Sequence, residues 1–176
     1  MKRILDVAIA LPLLVLMSPL ILLAAIWIRS TSTGPALFSQ LRVGRNQAPF
    51  RCHKLRTMYA DTANQPTHEV AVSAVTPFGR LLRRCKFDEL PQLWNVIEGS
   101  MSLVGPRPCL PMQHELIAQR QRLGVFSLRP GITGLAQVRG IDMSTPAALA
   151  EADAEYLAKR SLSLDLGILL RTFLPF

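Results

Sequence analysis

KFDELPQLWNVIEGSMSLVGPRP, residues 86–108, holds the densest chemistry in the chain, and the reading of its neighbours follows from it. Asp88 and Glu89 stand side by side after a basic run that contains Arg80, Arg83, Arg84 and Lys86. Behind them Leu90, Leu93, Trp94 and Ile97 recur at i, i+3, i+4 and i+7, the spacing of one buried helical face. The period predicts a helix with Asp88 at its N-cap and Pro91 in its first turn, where a missing N–H costs nothing. The stretch closes on Gly105-Pro106-Arg107-Pro108, an arginine restricted from both sides by proline. An aspartate before an apolar-periodic run is commonly just a cap worth about 1 kcal/mol, and Glu89 suits a first turn through the helix dipole. Two acids ringed by cations at a helix start also suit phosphates and a divalent metal. Both readings stand on this stretch alone.

The bulk composition narrows the partners. Twenty Lys and Arg against twelve Asp and Glu give a net charge of +8, yet 49% of the 176 residues are hydrophobic. Aromatics are only 6%, and no stacking platform or nucleic-acid motif is present, so nucleic acid is not an expected partner. Basic and apolar together point to an anionic membrane surface. Cys52, Cys85 and Cys109 form no CxxC pair, and His53, His68 and His114 lack ligand spacing. The thiols read as reduced and cytosol-facing.

Ile4 to Ile28 is almost wholly apolar, flanked by Lys2-Arg3 and Arg29. As helix, about 25 residues rise about 37 Å, enough to cross a hydrocarbon core of about 30 Å. The run is too long for a signal-peptide core of about 7–15 residues, and no A-x-A site follows. Pro12 and Pro19 each remove a helix hydrogen bond, and the Ser18 hydroxyl stands ready for a carbonyl freed at Ser18-Pro19. With basic residues at both ends, a crossing helix places one flank on the disfavoured side. A helix–break–helix that enters and returns to one face is favoured over crossing, with Asp6 near its mouth pairing with a cation.

Between the anchor and the acids, Leu37 to Leu41 and Phe50 to Met58 flank Gly44-Arg45-Asn46-Gln47, a predicted β-hairpin. Lys54 and Arg56 lie two apart on one face of its second arm. They are either a solvated edge or a phosphate or carboxylate partner for the central site. Ala60 to Pro77 reads as a mobile connection. Phe78 to Arg84 reads as a short amphipathic helix with Phe78, Leu81 and Leu82 on one side, its arginines facing lipid headgroups or an acidic substrate. Gln113 to Leu123 and Pro146 to Lys159 read as helices. Leu157 to Phe173 suits a core or interfacial helix, although the alternation in Ser161–Leu166 permits a strand. Asp165 is placed to fix a cation across the fold.

Several long motifs in order resemble the small monotopic phosphoglycosyl transferases, also called bacterial sugar transferases. They are Ser18-Pro19, Lys54-Leu55-Arg56-Thr57-Met58, Asp88-Glu89-Leu90-Pro91-Gln92-Leu93-Trp94-Asn95-Val96 and Met101-Ser102-Leu103-Val104-Gly105-Pro106-Arg107-Pro108. Arg129-Pro130-Gly131-Ile132-Thr133-Gly134-Leu135-Ala136-Gln137-Val138 and Ser161-Leu162-Ser163-Leu164-Asp165-Leu166 complete the set. The resemblance implies an α+β, mainly helical fold: a re-entrant membrane helix–break–helix over residues 1–29, then a catalytic domain over 30–176 with a β-hairpin and amphipathic, interfacial helices. It implies a monotopic enzyme on the cytoplasmic face of the bacterial inner membrane. Such an enzyme moves a phosphosugar from a UDP-sugar to a polyprenyl phosphate such as undecaprenyl phosphate, releasing UMP. The reaction would initiate surface glycoconjugate or polysaccharide assembly and feed downstream glycosyltransferases.

On this resemblance Asp88 is the nucleophile that carries the phosphosugar, Glu89 completes the dyad, and both meet Mg²⁺. Lys54, Arg56, Arg83, Arg107, Arg129, Thr133 and Gln137 fall among the phosphate- and nucleotide-contacting elements. Glu98-Gly99-Ser100-Met101 stands where the family has Lys-Gly-Asp-Met. Arg139-Gly140-Ile141 replaces Asn-Gly-Arg, and Cys85-Lys86-Phe87 is also atypical. These departures bear on substrate choice. The chemistry suits the residues: a carboxylate can form an acyl phosphate, magnesium takes one or two carboxylates plus substrate phosphates, and arginine grips phosphate bidentately. Pro130-Gly131 and Thr133-Gly134 predict a tight turn, either an ordinary loop or one whose N–H groups face phosphate. Two other classes compete. Glycoside hydrolysis needs two acids flanking the scissile bond about 5–9.5 Å apart, which adjacent residues serve poorly. A basic, non-enzymatic membrane-surface scaffold would leave Asp88 a mere cap.

Overall fold

The computed structural model describes residues 2–59 and 74–173. Helix α1 (Lys2–Thr31) is continuous through Pro12 and Pro19, so the expected interruption at Ser18-Pro19 does not end it. Pro19 has no N–H for the Val15 carbonyl four residues back, and the Ser18 hydroxyl donates to that carbonyl at 2.8 Å instead. The lost backbone bond is replaced locally, and the helix survives. It is long and apolar enough to cross a membrane by length and composition, the one such helix among the described residues.

Both ends of α1 are bound to the same body. At its start Lys2 pairs with Asp165 at 2.5 Å, while the Arg3 guanidinium donates to the Val96 and Ile97 carbonyls that end helix α3 (Gln92–Glu98). Asp6 is buried and accepts from the Ser102 hydroxyl at 2.8 Å and the Leu103 N–H at 3.2 Å, neutral donors rather than the expected cation. At its far end Arg56 donates to the carbonyls of Ile28, Ser32 and Thr33, helping to satisfy the orphan acceptors of the helix terminus. Ala10 enters the core with Leu93, Val96 and Val104, and Ala24 and Ile28 pack with Leu55 and Leu82. Between these anchorages Leu13, Leu14 and Ile21 lean on the core, while the outward side is bare, with Val15 65% and Leu22 61% exposed.

The predicted hairpin forms from β1 (Leu37–Val43) and β2 (Pro49–Leu55), antiparallel with Leu37 opposite Leu55 and Val43 opposite Pro49. Helix α2 (Pro77–Arg84) begins at Thr76, whose side chain accepts from the Gly79 N–H. Leu82 faces in, whereas Leu81 is exposed. Of the expected mobile connection, residues 60–73 lie outside the described residues, and Val75 bridges to Met58. A short parallel pair, β3 (Ser102–Val104) with β4 (Gly131–Thr133), follows α3. Helices α4 (His114–Arg122), α5 (Leu135–Val138), α6 (Pro146–Lys159) and α7 (Leu162–Phe173) complete the body. The Ser161–Leu166 stretch is helical from Leu162, with Ile168 and Asp165 burying one face against the core while Leu166 and Leu170 stay outside. Asp165 does fix a cation, Lys2. The closing Leu174-Pro175-Phe176 lies outside the described residues.

Residues 86–108 depart from the prediction at their start. Phe87–Glu89 is a separate turn of 3-10 helix, and α3 starts at Gln92 after Pro91. Asp88 therefore caps nothing. On α3 the inward face is Leu93, Val96 and the wholly buried Asn95, while Trp94 is 54% exposed. Of the face that the spacing predicted, Leu90, Leu93 and Ile97 do pack against the core, and Trp94 alone points outward.

Candidate active site

The acids sit in a junction between the hairpin, α2 and the loop after β3. Lys86 adopts φ +56, a left-handed conformation uncommon for a side-chain-bearing residue, and turns the chain from α2 into the 3-10 turn of Asp88 and Glu89. Lys54, near the end of β2, donates to Glu89 Oε1 at 2.7 Å, and Arg107 approaches the same oxygen at 3.4 Å. Three elements far apart in the chain thus converge on one carboxylate.

Burial pushes the Glu89 carboxyl upward, but Lys54 and Arg107 outweigh it and bring the pKa down to about 2. Glu89 is a fixed anion held between two cations. Asp88 differs. It is buried, makes no ion pair among the described residues, and burial raises its carboxyl above the ordinary value; Lys54 lowers it, Glu89 raises it, and Arg83 lowers it. The result is a poorly hydrated carboxylate beside a locked one. Arg83 is itself aimed by a bond from its Nε to the Thr57 hydroxyl at 2.9 Å.

Other expected site residues are engaged elsewhere. Arg56 is buried against the end of α1 and does not join Lys54 at the acids, because the hairpin arm ends at Leu55 and the chain turns inward. Arg129 donates to the Gly99 carbonyl at 2.9 Å, closing the end of α3. The Thr133 hydroxyl is buried against Thr172 at 2.7 Å, and Gln137 donates to the Ile132 carbonyl with its Oε1 buried and unpartnered. The expected phosphate-facing turn is instead strand β4 and helix α5. Its Gly131 N–H donates to the Pro106 carbonyl at 2.9 Å. An added Cβ at Gly131 would lie 2.1 Å from the Gly105 nitrogen, so close approach of two backbones explains the glycine.

Sequence patterns missed three groups around the site. Asn95 accepts from the His53 N–H and donates to the Arg51 carbonyl, to Glu98 and to Ser100, tying β2 to α3 behind the dyad. The atypical Glu98 and Ser100 meet each other at 2.7 Å in this knot. Arg42 donates to the Pro108 carbonyl at 3.0 Å. Arg120, buried with Asp153 at 2.6 Å, donates to the Arg107 carbonyl at 2.9 Å. Position 120 lies on the apolar side of α4, but nothing in the local pattern names a partner 33 residues away.

For a divalent cation, no cluster of three or more His, Cys, Asp or Glu exists among the described residues. Both cation contacts of Glu89 fall on Oε1, which leaves Oε2 and the Asp88 oxygens as donors. Two carboxylates fit magnesium when substrate phosphates supply other ligands.

Residues 1–176 match the family described as bacterial sugar transferase. A UDP-glucose:undecaprenyl-phosphate glucose-1-phosphate transferase of Caulobacter vibrioides is 44% identical over 180 residues, spanning 97% of this chain and 67% of the relative. An undecaprenyl-phosphate glucose phosphotransferase of Komagataeibacter xylinus is 38% identical, spanning 97% of this chain and 35% of that protein. A UDP-N-acetylgalactosamine-undecaprenyl-phosphate N-acetylgalactosaminephosphotransferase of Aeromonas hydrophila is 37% identical, spanning 97% and 42%. The chain spans well under half the length of the latter two.

Proposed function

The chain belongs to the bacterial sugar transferase family, and from that premise we propose that it transfers a phosphosugar from a UDP-sugar to undecaprenyl phosphate, releasing UMP. The observation that carries the proposal is the division of labour between adjacent acids. Glu89 is clamped by Lys54 and Arg107, while Asp88 is desolvated and free of any ion pair among the described residues. An Asp88 oxygen attacks the phosphorus that bears the sugar, and the P–O bond to UMP breaks. The resulting acyl phosphate is opened by a phosphate oxygen of the lipid acceptor, which restores the carboxylate. Lys54, Arg83 and Arg107 supply positive charge where it is needed as phosphate charge builds. Magnesium would be held by Asp88 and Glu89 and would neutralise the donor's diphosphate.

A soluble donor and a lipid-tailed acceptor meet only at headgroup height. The clasp of both ends of α1 by one body supports a seating that keeps both on one face of the membrane, since a crossing helix would carry one end away. Basic residues at both ends favour the cytoplasmic leaflet of the inner membrane. The product would open the assembly of a surface polysaccharide or glycoconjugate, completed by downstream glycosyltransferases.

The deciding experiment measures UMP release across a panel of UDP-sugars with undecaprenyl phosphate, with and without EDTA, and trapping of phosphosugar on the protein. Asp88→Asn should lose both signals. Undiminished trapping in that variant removes Asp88 from the nucleophile role, and function that survives it favours the scaffold reading.

A further inference from the structure

Four consecutive carbonyls around Arg107 are held by three distant parts of the chain: β4, α4 and the end of β1. Pro106 accepts from the Gly131 N–H at 2.9 Å, Arg107 from Arg120 at 2.9 Å, Pro108 from Arg42 at 3.0 Å and Cys109 from the Val43 N–H at 2.9 Å. Pro106 and Pro108 have no N–H, so this segment cannot brace itself with a regular ladder. Two of its four supports are side chains, and both are arginines. Arg120 is 2% exposed and is neutralised by Asp153 through two bonds to one carboxylate oxygen, at 2.9 and 2.6 Å. Its remaining Nη1 is turned to the Arg107 carbonyl. Arg42 is half-buried, is also held by Gln40, and stands close enough to Arg107 and Glu89 to feel both charges.

We infer that Arg42 and Arg120 are positioning residues that fix the backbone on either side of Arg107 and so aim its guanidinium at Glu89 and at the substrate phosphates. The inference rests on the proposed function for its kinetic part only. Neither arginine need touch substrate. Two like charges, Arg42 and Arg107, are tolerated side by side because each has an acceptor: Pro108 for one and Glu89 for the other. A single bond from a charged donor to a carbonyl is modest in isolation, but losing aim at a phosphate clamp commonly costs far more than the bond itself.

The test uses the full chain in lipid nanodiscs, with Arg42→Gln and Arg120→Lys made separately, each in the native and the Arg107→Ala background. Hydrogen exchange of the Gly131 and Val43 amides, which donate to the Pro106 and Cys109 carbonyls, should quicken about tenfold in each variant without substrate, while α3 and α7 amides stay within about twofold. The rate of UMP release per KM should fall about tenfold for Arg42→Gln in the native background and by less than about twofold once Arg107 is alanine. Arg42→Lys should recover part of the loss. Unchanged exchange at Gly131 and Val43, or an equal kinetic loss in both backgrounds, overturns the inference. If the native protein releases no UMP, the function is wrong, and the exchange arm still decides the positioning role.

Discussion

Residues 88 and 89 are neighbours in sequence and opposites in electrostatics. Glu89 has its folded pKa drawn down to about 2, below the unfolded value of about 4.3. Its contribution to stability is therefore fully present above that unfolded value and is lost as pH falls toward 2. Glu89→Gln should flatten this acid limb of a melting-temperature profile taken between about pH 5 and pH 2. Asp88 is raised by burial, so its ionised form costs stability at neutral pH. Asp88→Asn, measured in EDTA, should raise the melting temperature at pH 7 even as UMP release is lost, and the gain should shrink as pH falls and the native acid protonates. A variant that melts lower at pH 7 contradicts this account. At this scale the sequence showed the acids, Lys54 and Arg107, because their types announce phosphate chemistry. It did not show that Arg56 and Arg129 serve helix ends, since a guanidinium suits a carbonyl as well as a phosphate.

Among the elements, the helices α4 and α6 and the hairpin were legible from period and turn chemistry. The β3–β4 pair was not: each strand has three residues, too few for a period to register. What made that pairing was the near-contact of Gly105, Gly131 and Gly134, where an added Cβ would come within 2.4 Å of facing backbone. Gly131→Ala should therefore disturb β3, β4 and the Arg107 loop together, with activity reduced by about tenfold or more. By contrast, Thr76→Ala removes one cap bond on α2 and should cost about 1 kcal/mol in chemical unfolding, with Arg83 still tied to Thr57. On α3 the spacing located Leu90, Leu93 and Ile97 against the core but not the buried Asn95, a polar residue that an apolar period does not register.

For the molecule as a whole, the apolar segment and the body that follows it are one folding problem. Ala10 is fully buried in the same core as Leu93 and Val104, and among the described residues Asp6 accepts from Ser102 and Leu103 of β3. Removing residues 1–31 should thus yield no soluble, folded remainder, as judged by aggregation and loss of cooperative unfolding. In the proposed seating, cysteines placed at Lys2 and at Thr31 should both react with a membrane-impermeant reagent from the cytoplasmic side. Reaction of the two from opposite sides would refute this one-face seating. Composition announced the membrane; the clasp at both ends came from single polar bonds between residues as distant as Lys2 and Asp165, which no periodicity records.

Ala10 and Ala24 dock on the body from opposite halves of α1, about four turns apart. The segment between them looks forgiving, a greasy run in which one aliphatic residue should replace another with little effect. Its length is not forgiving. Inserting a single residue near Leu16 would rotate one docking face relative to the other by about 100°, so the helix behaves as a gear whose tooth count is set even along its exposed turns.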